Sequence, residues 1–389
     1  MIASKKVDDV IKTIEETYDL KGVGPPEYYL GGNVEEMDEH WTKKGIRWSL
    51  NASTYIEGII PKMEKLVGEV LSKYSSPMAE SYHPELNDSE YLDNEGASKY
   101  RSIIGSLNWA ITLGRFDIQY ATSTMARYNC APRKGHLKGV LRILGYLKKV
   151  ARLKPRLLVN PELPKHEKYP TEDHGTWEEF YPDAVEEIPN DMPESKGKEM
   201  KITIWVDADH AHDQVTRKSV TGIVVMINGM VYKTVSKRQA TVESSTYGSE
   251  LVASRVAVDI AIEVRYLLRM LGVKVNSPVL MLGDNKSVVL NSTTPSSVLK
   301  KKHCTINYHR VREAIAGNIV RYVHIDSKLN VADCLTKPLP GNVQYNLLKP
   351  IMFANHFTNL WPGEEIKIKD KEAKYSHNLE DDLEKDQKS

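Results

Sequence analysis

Lys201-Ile-Thr-Ile-Trp-Val-Asp207 alternates polar and apolar residues and ends on a carboxylate, the pattern of a half-buried strand that stops at Asp207. Residues 221–227 and 230–235 read as two further strands, parted by the turn pair Asn228-Gly229. A long helical stretch follows over about 245–271. Val279-Leu280-Met281-Leu282 is an unbroken apolar run, as in a strand buried on both faces, and Asp284 stands just past it. A basic helix over about 306–316, a strand over 319–325 and a short helix over 330–336 complete the unit. Pro338 stops the last helix, which carries Asp333. This alternation of strands and helices predicts an α/β fold.

On the long helix, Glu250 shares a face with Ala257, Ala261, Val264 and Leu268, while Arg255, Asp259 and Glu263 lie opposite. Glu250 therefore heads a core-facing stripe, where an ionised carboxylate is costly without a cation. Asp207, Asp284 and Asp333 are placed to share that cation. Without it such a cluster repels itself and takes up protons. A divalent ion held through oxygens, Mg²⁺ above all, inverts that tendency.

Each acid alone has an ordinary explanation as a turn, cap or edge residue. Together their order is strand-Asp, helix-Glu, strand-Asp, helix-Asp. The segment resembles the ribonuclease H domain of copia-like retrotransposon Pol polyproteins, and several motifs carry the likeness. They are Asp207-Ala208-Asp209, Arg217-Lys218-Ser219, Ser236-Lys237-Arg238-Gln239, Glu243-Ser244-Ser245-Thr246, Gly283-Asp284-Asn285-Lys286-Ser287, Lys302-His303, Tyr308-His309-Arg310-Val311-Arg312-Glu313 and Ala332-Asp333-Cys334-Leu335-Thr336-Lys337-Pro338-Leu339. The resemblance implies a ribonuclease H-like mixed sheet flanked by helices, preceded by a mainly helical reverse-transcriptase thumb and connection. It implies that Asp207, Glu250, Asp284 and Asp333 are the catalytic, metal-holding acids. Asp207 would bridge two Mg²⁺ ions (Mn²⁺ substituting), Asp333 would hold the nucleophile-side ion, and Glu250 and Asp284 the other. Such ions stand roughly 3.5–4 Å apart in two-metal sites. The substrate implied is an RNA–DNA hybrid cut in its RNA strand, with the 2′-OH as the distinguishing group. Ser244, Ser245 and Asn285 are candidate polar contacts to it. His210, where Trp is usual, is a departure that bears on the neighbouring loop. Asp209 is the alternative first ligand.

The chain has 389 residues, 41% hydrophobic and 27% charged, enough for two or more soluble globular domains. Cys130, Cys304 and Cys334 are odd in number and far apart, which suits neither a disulfide framework nor a zinc site and points to a reducing compartment. No signal peptide is evident and no apolar run is long enough to span a membrane, so no membrane association is expected. The net charge of +1 is unevenly spread. One basic tract runs from Arg133 to Arg156 and includes Lys148, Lys149, Arg152 and Lys154; Lys300-Lys301-Lys302 is another. Both are expected to meet nucleic-acid phosphates, against the plainer reading as solvated helix faces.

Five segments are expected. Residues 1–86 are a remnant of the polymerase palm and thumb, 87–151 a helical thumb and connection, and 152–200 a Pro-rich acidic linker or insertion. Residues 201–340 are the ribonuclease H domain, and 341–389 a C-terminal extension, disordered from about 363. Val7-Asp8-Asp9 mimics a polymerase catalytic pair, but Val7, Val10, Ile11, Ile14 and Tyr18 recur at helical spacing and put both aspartates in a first helical turn. By resemblance, Met1-Ile2-Ala3-Ser4-Lys5 lies just downstream of the polymerase aspartates, so the chain is expected to lack them. Tyr28-Tyr29-Leu30-Gly31-Gly32 is expected to be a strand paired with 46–50. Helices are expected over 53–74, 98–113, 117–128 and 133–150, with a polar linker over 87–99. Trp177, Phe180 and Tyr181 form a candidate docking patch within the acidic insertion. His210-x-His212 lacks a cysteine partner and is not read as zinc-binding. His324 is read as a strand-end surface residue.

The expected function is metal-dependent cleavage of hybrid RNA during reverse transcription of a copia-like element. The remainder of a Pol polyprotein would be its partner, no small-molecule cofactor is expected, and the location would be cytoplasmic (virus-like particle), nuclear or both. The alternatives are a catalytically silent fragment or a co-opted nucleic-acid-binding protein, a polymerase subunit completed by another chain, and another nuclease class sharing the fold. The Ala-Asp-Cys-Leu-Thr-Lys-Pro-Leu ending argues against the last.

Overall fold

The computed structural model describes residues 5–20, 24, 27–37, 48–151, 155–159 and 176–352. Expectations for Arg152, Lys154, the first four residues and the tail from about 363 fall outside them. Helix α1, Lys5–Glu15, does place Asp8 and Asp9 near its start. Strands β1, Tyr28–Tyr29, β2, Gly32–Glu36, and β3, Trp48–Asn51, follow. The expected pairing of 28–32 with 46–50 is corrected here. Leu30 and Gly31 take positive φ and fold β1 back on β2, and it is β2 that pairs with β3.

Four helices build the next layer: α2, Ser53–Val67, α3, Asn94–Thr112, α4, Gln119–Ala126, and α5, Lys134–Val150. The expected linker over 87–99 is shorter than its composition suggested. Asp93 accepts a 2.7 Å bond from the Gly96 N–H and starts α3 there. Ile103, Ile104, Leu107, Val140, Ile143, Leu144 and Leu147 are buried between the helices. Strand β4, Arg156–Val159, was not expected inside the linker; it pairs with β3 and completes a four-stranded antiparallel sheet.

The second sheet has five strands: β5, Ile202–Asp209, β6, Val220–Ile227, β7, Met230–Arg238, β8, Val279–Gly283, and β9, Val320–His324. Its order is β7-β6-β5-β8-β9, with β5, β6 and β7 antiparallel and β8 and β9 parallel to β5. This is the ribonuclease H-like mixed sheet. Asn228 and Gly229 take the left-handed conformation that a tight hairpin turn needs. The helices are α6, Thr246–Met270, α7, Lys286–Thr293, α8, Thr305–Ala316, and α9, Gly341–Met352.

Both faces of the central strands β5, β6 and β8 are buried. Ile204, Val206, Ile223, Val225 and Met281 pack against α6 and α8 through Ala257, Val258, Ala261 and Val311. The opposite face, with Trp205, Val224 and Leu282, joins an apolar cluster that runs through Leu335 and Leu348 into the helices of the N-terminal half. Polar links cross the same boundary: Tyr120 to His212 at 2.6 Å, Arg127 to Asp213, and Gln119 Nε2 to the Thr234 carbonyl at 3.2 Å.

Residues 176–200 form a strap over the outer helices. Glu186 is gripped by Arg265 (2.7 and 2.6 Å) and Arg269 (2.6 and 2.9 Å), and these guanidiniums outweigh burial and hold its carboxyl down near about 2. Trp177 and Tyr181 flank the Arg312 guanidinium of α8, 4.9 and 5.5 Å from the ring centres. These two aromatics therefore dock on the chain itself.

Among the described residues no helix is long and apolar enough to cross a membrane.

Candidate active site

β5 runs two residues past the expected stop at Asp207, to Asp209, with Asp207 and Ala208 still buried; because β5 lies between β6 and β8, Asp207 stands at the centre of the sheet. The parallel neighbour β8 ends at Gly283 and delivers Asp284 beside it. On α6, Ser245 caps the first turn, and the stripe read from sequence turns Glu250 inward, where it is 5% exposed. One carboxylate oxygen from each of Asp207, Glu250 and Asp284 lies within 4.8 Å of the others.

Asp333 stands outside that trio but is tied to it. Its segment is a short 3-10 helix, Val331–Leu335, capped by Asn330. The buried Asn330 donates from Nδ2 to the Val206 carbonyl at 3.0 Å, which fixes this segment to the end of β5. Thr336 donates to Asp207 Oδ2 at 2.5 Å. Lys337 Nζ is 3.0 Å from Asp333 Oδ2 and 4.0 Å from Asp207 Oδ2, so an ammonium sits between two of the four acids. Sequence reading quoted Thr336 and Lys337 only as part of the motif and missed Asn330. Their roles depend on a fold-back that spacing does not reveal.

The electrostatics are those of a cation site. Burial, and then Asp207 and Asp284, push the Glu250 carboxyl well above its usual range. Burial, followed by Asp207, raises Asp333 to about 8, and burial also raises Asp207. Burial alone would lower Lys337; Asp207 and Asp333 outweigh it and raise the amine to about 12. Asp333 Oδ1 is buried with no hydrogen-bond partner. Four carboxylates, one of them with an orphaned oxygen, form an all-oxygen donor set suited to a hard divalent ion.

Asp209 is not among the converging acids, and its Oδ2 is turned to His212 Nδ1, 2.5 Å away. His212 uses its other nitrogen on Tyr120. His324 is exposed at the end of β9, with Nε2 3.1 Å from the Asp284 carbonyl oxygen.

The expected nucleic-acid contacts already have partners of their own in several cases. Lys148 is turned inward, 2.7 Å from Glu64 and 3.1 Å from the Leu71 carbonyl, because α5 presents that side to α2 and its exit loop. Along the same tract Lys134 pairs with Glu90, and Arg142 bonds Ser76 at 3.0 Å and stacks on Tyr74. Lys149 is half-buried and has a partner. Ser245 and Asn285 serve as helix caps, accepting from Gly248 N (3.3 Å) and Val288 N (3.2 Å). Lys301 bonds Ser245 Oγ, while Ser244, Lys300 and Lys302 are exposed.

Gly222 lies opposite Asp207 in the β5–β6 register. A Cβ there would come within 2.5 Å of Thr336 Cγ2 and 2.7 Å of the Ala332 carbonyl oxygen. Gly222→Ala is expected to push the Asp333 segment off the sheet, costing about 1–3 kcal/mol of stability and at least about tenfold in activity. Urea unfolding and steady-state cleavage measure the two; unchanged activity would show that this close approach does not set the position of Asp333.

This mixed sheet and its acidic cluster define a ribonuclease H-like unit with a candidate divalent-metal centre. No family model matches the chain. Curated relatives are retrovirus-related Pol polyproteins. That of transposon RE1 of Arabidopsis thaliana is 25% identical over 346 residues, 88% of this chain and 20% of the relative. That of transposon TNT 1-94 of Nicotiana tabacum is 26% identical over 87% of this chain and 22% of the relative. The Ty1-LR2 Gag-Pol polyprotein of Saccharomyces cerevisiae is 22% identical over 87% and 17%. The chain is thus similar to retrotransposon Pol polyproteins over most of its own length and spans about a fifth of theirs. Similar solved structures include the N-terminal RNase H domain of a Mycobacterium tuberculosis protein, 15% identical over 39% of this chain and 97% of that one, TM-score 0.28. Another is LC11-RNase H1 in complex with an RNA/DNA hybrid, 20% identical over 35% and 94%, TM-score 0.27. At these scores the fold assignment rests on strand order and register.

Proposed function

We propose that the chain cleaves the RNA strand of RNA–DNA hybrids in a metal-dependent reaction, as part of reverse transcription by a copia-like element. The observation that carries this reading is the convergence of Asp207, Glu250 and Asp284, with the partnerless Oδ1 of Asp333 alongside. Kinship with Pol polyproteins supports the setting and the Pol remainder as partner. Location in a cytoplasmic virus-like particle, the nucleus or both belongs to the same proposal.

Asp207, Glu250, Asp284 and Asp333 would hold two Mg²⁺ ions, with Mn²⁺ as substitute. Divalent metal, when bound, supplies Lewis acidity for activating water and for the leaving oxygen. The chain's own contribution is position. Thr336 orients Asp207, and Asn330 fixes the Asp333 segment to β5. Lys337 balances charge between Asp207 and Asp333. Ser244, Lys300 and Lys302 are the exposed members of the candidate substrate contacts.

The full chain is expected to cut a labelled hybrid with Mg²⁺ or Mn²⁺, to spare the DNA strand, and to stop when EDTA is added. Cleavage that persists in chelator would remove the metal reading. Hybrid binding without any cleavage under these conditions would favour the silent, nucleic-acid-binding alternative.

A further inference from the structure

A second convergence of ligand-type atoms lies before the first turn of α6 and shares no residue with the carboxylate site. Glu243, His303 and Cys304 each bring one donor atom to within 4.8 Å of the others. Glu243 Oε2 is 3.7 Å from His303 Nε2 and 4.0 Å from Cys304 Sγ. Both separations are too long for strong hydrogen bonds, so the three groups face one point without satisfying one another. The carboxylate is aimed there. Its Oε1 accepts a 3.1 Å bond from Thr241, and Oε2 rests against Gly248, where a Cβ would come within 2.7 Å of it. Ser244 Oγ is 3.5 Å from the same His303 nitrogen. Cys304 is buried, whereas the His303 side chain is 52% exposed and leaves one side open to water.

Thiolate, imidazole and carboxylate together suit a borderline-soft d¹⁰ cation, in contrast to the all-oxygen centre. Ordinary zinc bond lengths in a tetrahedron give N–O and S–O edges of about 3.4 and about 3.6 Å, so the two edges that meet at Glu243 need to close by only a few tenths of an ångström.

We propose that Glu243, His303 and Cys304 form a Zn²⁺ site that fastens the segment before α6 to the segment before α8. Binding forms a zinc–sulfur bond and releases the Cys304 thiol proton to solvent. Burial and Glu243 hold that thiol up in the free protein, so a proton must leave as metal enters. Lys301 is the opposing charge nearby; its amine is bonded to Ser245 Oγ and lies 5.6 Å from the Tyr247 ring centre. The zinc site stands independently of the nuclease reading. If both hold, the ion stiffens the backbone beside Ser244 and Lys302, on the side where substrate contacts are proposed.

The test uses the full chain, stripped of metal and reduced, and titrated with Co²⁺. An equimolar thiolate-to-cobalt charge-transfer absorption in the near ultraviolet is expected, and Zn²⁺ should displace it. The four acids offer no sulfur, and the neighbouring Cys334 Sγ is buried and bonded to the Val331 carbonyl at 3.0 Å, so Cys334→Ser should keep the band. Cys130→Ser should also keep it and Cys304→Ser should lose it. His303→Ala alters an exposed side chain and should weaken Co²⁺ binding at least about tenfold; it decides the matter should Cys304→Ser fail to fold. The proposal is overturned by absence of the band in the parent chain, by its survival in Cys304→Ser, or by unchanged affinity in His303→Ala.

Discussion

Asp207→Asn is expected to lower hybrid cleavage by on the order of a thousandfold, about 4 kcal/mol of barrier. The amide still accepts the Thr336 hydrogen bond, so shape is kept while one charge leaves the site. The metal-free protein should be no less stable, because burial already disfavours the Asp207 carboxylate. A carboxyl raised by folding contributes stability that is lost as pH rises from its unfolded value towards its folded one. For Asp333 that window runs from its ordinary value of 3.8 to about 8. In EDTA, unfolding free energy should therefore fall across this window in the parent. It should fall less in Asp207→Asn, where the charge that helps raise Asp333 is gone. Asp209→Asn should leave cleavage nearly intact, since Asp209 is turned to His212. An inactive Asp209→Asn beside a normal Asp207→Asn would reverse the assignment of the first ligand.

The largest stability loss is expected at Arg115→Met in the helical half. Arg115 is 2% exposed and forks onto Asp117 with Nε at 2.9 Å and Nη2 at 2.6 Å. Tyr146 donates to the same carboxylate at 2.9 Å, and Gln344 of α9 donates to the Asp117 carbonyl at 2.7 Å. Removing the guanidinium leaves a buried carboxylate with a single hydroxyl donor, a loss of about 3–5 kcal/mol. The double variant Arg115→Met with Asp117→Leu should recover much of that, since an apolar pair needs no counter-charge. Urea midpoints at constant slope provide the comparison. A single variant within about 1 kcal/mol of the parent would mean that water reaches and solvates Asp117.

The acids were legible because each stands where a periodic element ends or turns inward. The alternation of 201–207, the apolar run 279–282 and the stripe headed by Glu250 are local patterns, and the motifs supplied the register among them. What escaped reading depends on contacts between distant segments. Asn330 reaches Val206, and Tyr120 reaches His212, without any local signature. Lys148 looked like part of a phosphate-binding tract because spacing shows which face a lysine occupies but not that Glu64 waits across from it. β4 was hidden because it is only four residues long and set between Pro155 and Pro161; its partner β3 is what makes those residues a strand.

The apolar cluster that runs from the helical half onto Trp205, Val224 and Leu282 limits how such a chain can be taken apart or exchanged. A fragment starting at 201 would carry one sheet face built for a neighbour it no longer has, and in water that face would seek copies of itself. Recombination between related elements that joined one parent's helices to another's nuclease would have to match side chains across this seam, not merely keep reading frame. A change on one side of the seam is thereby expected to need an answering change on the other.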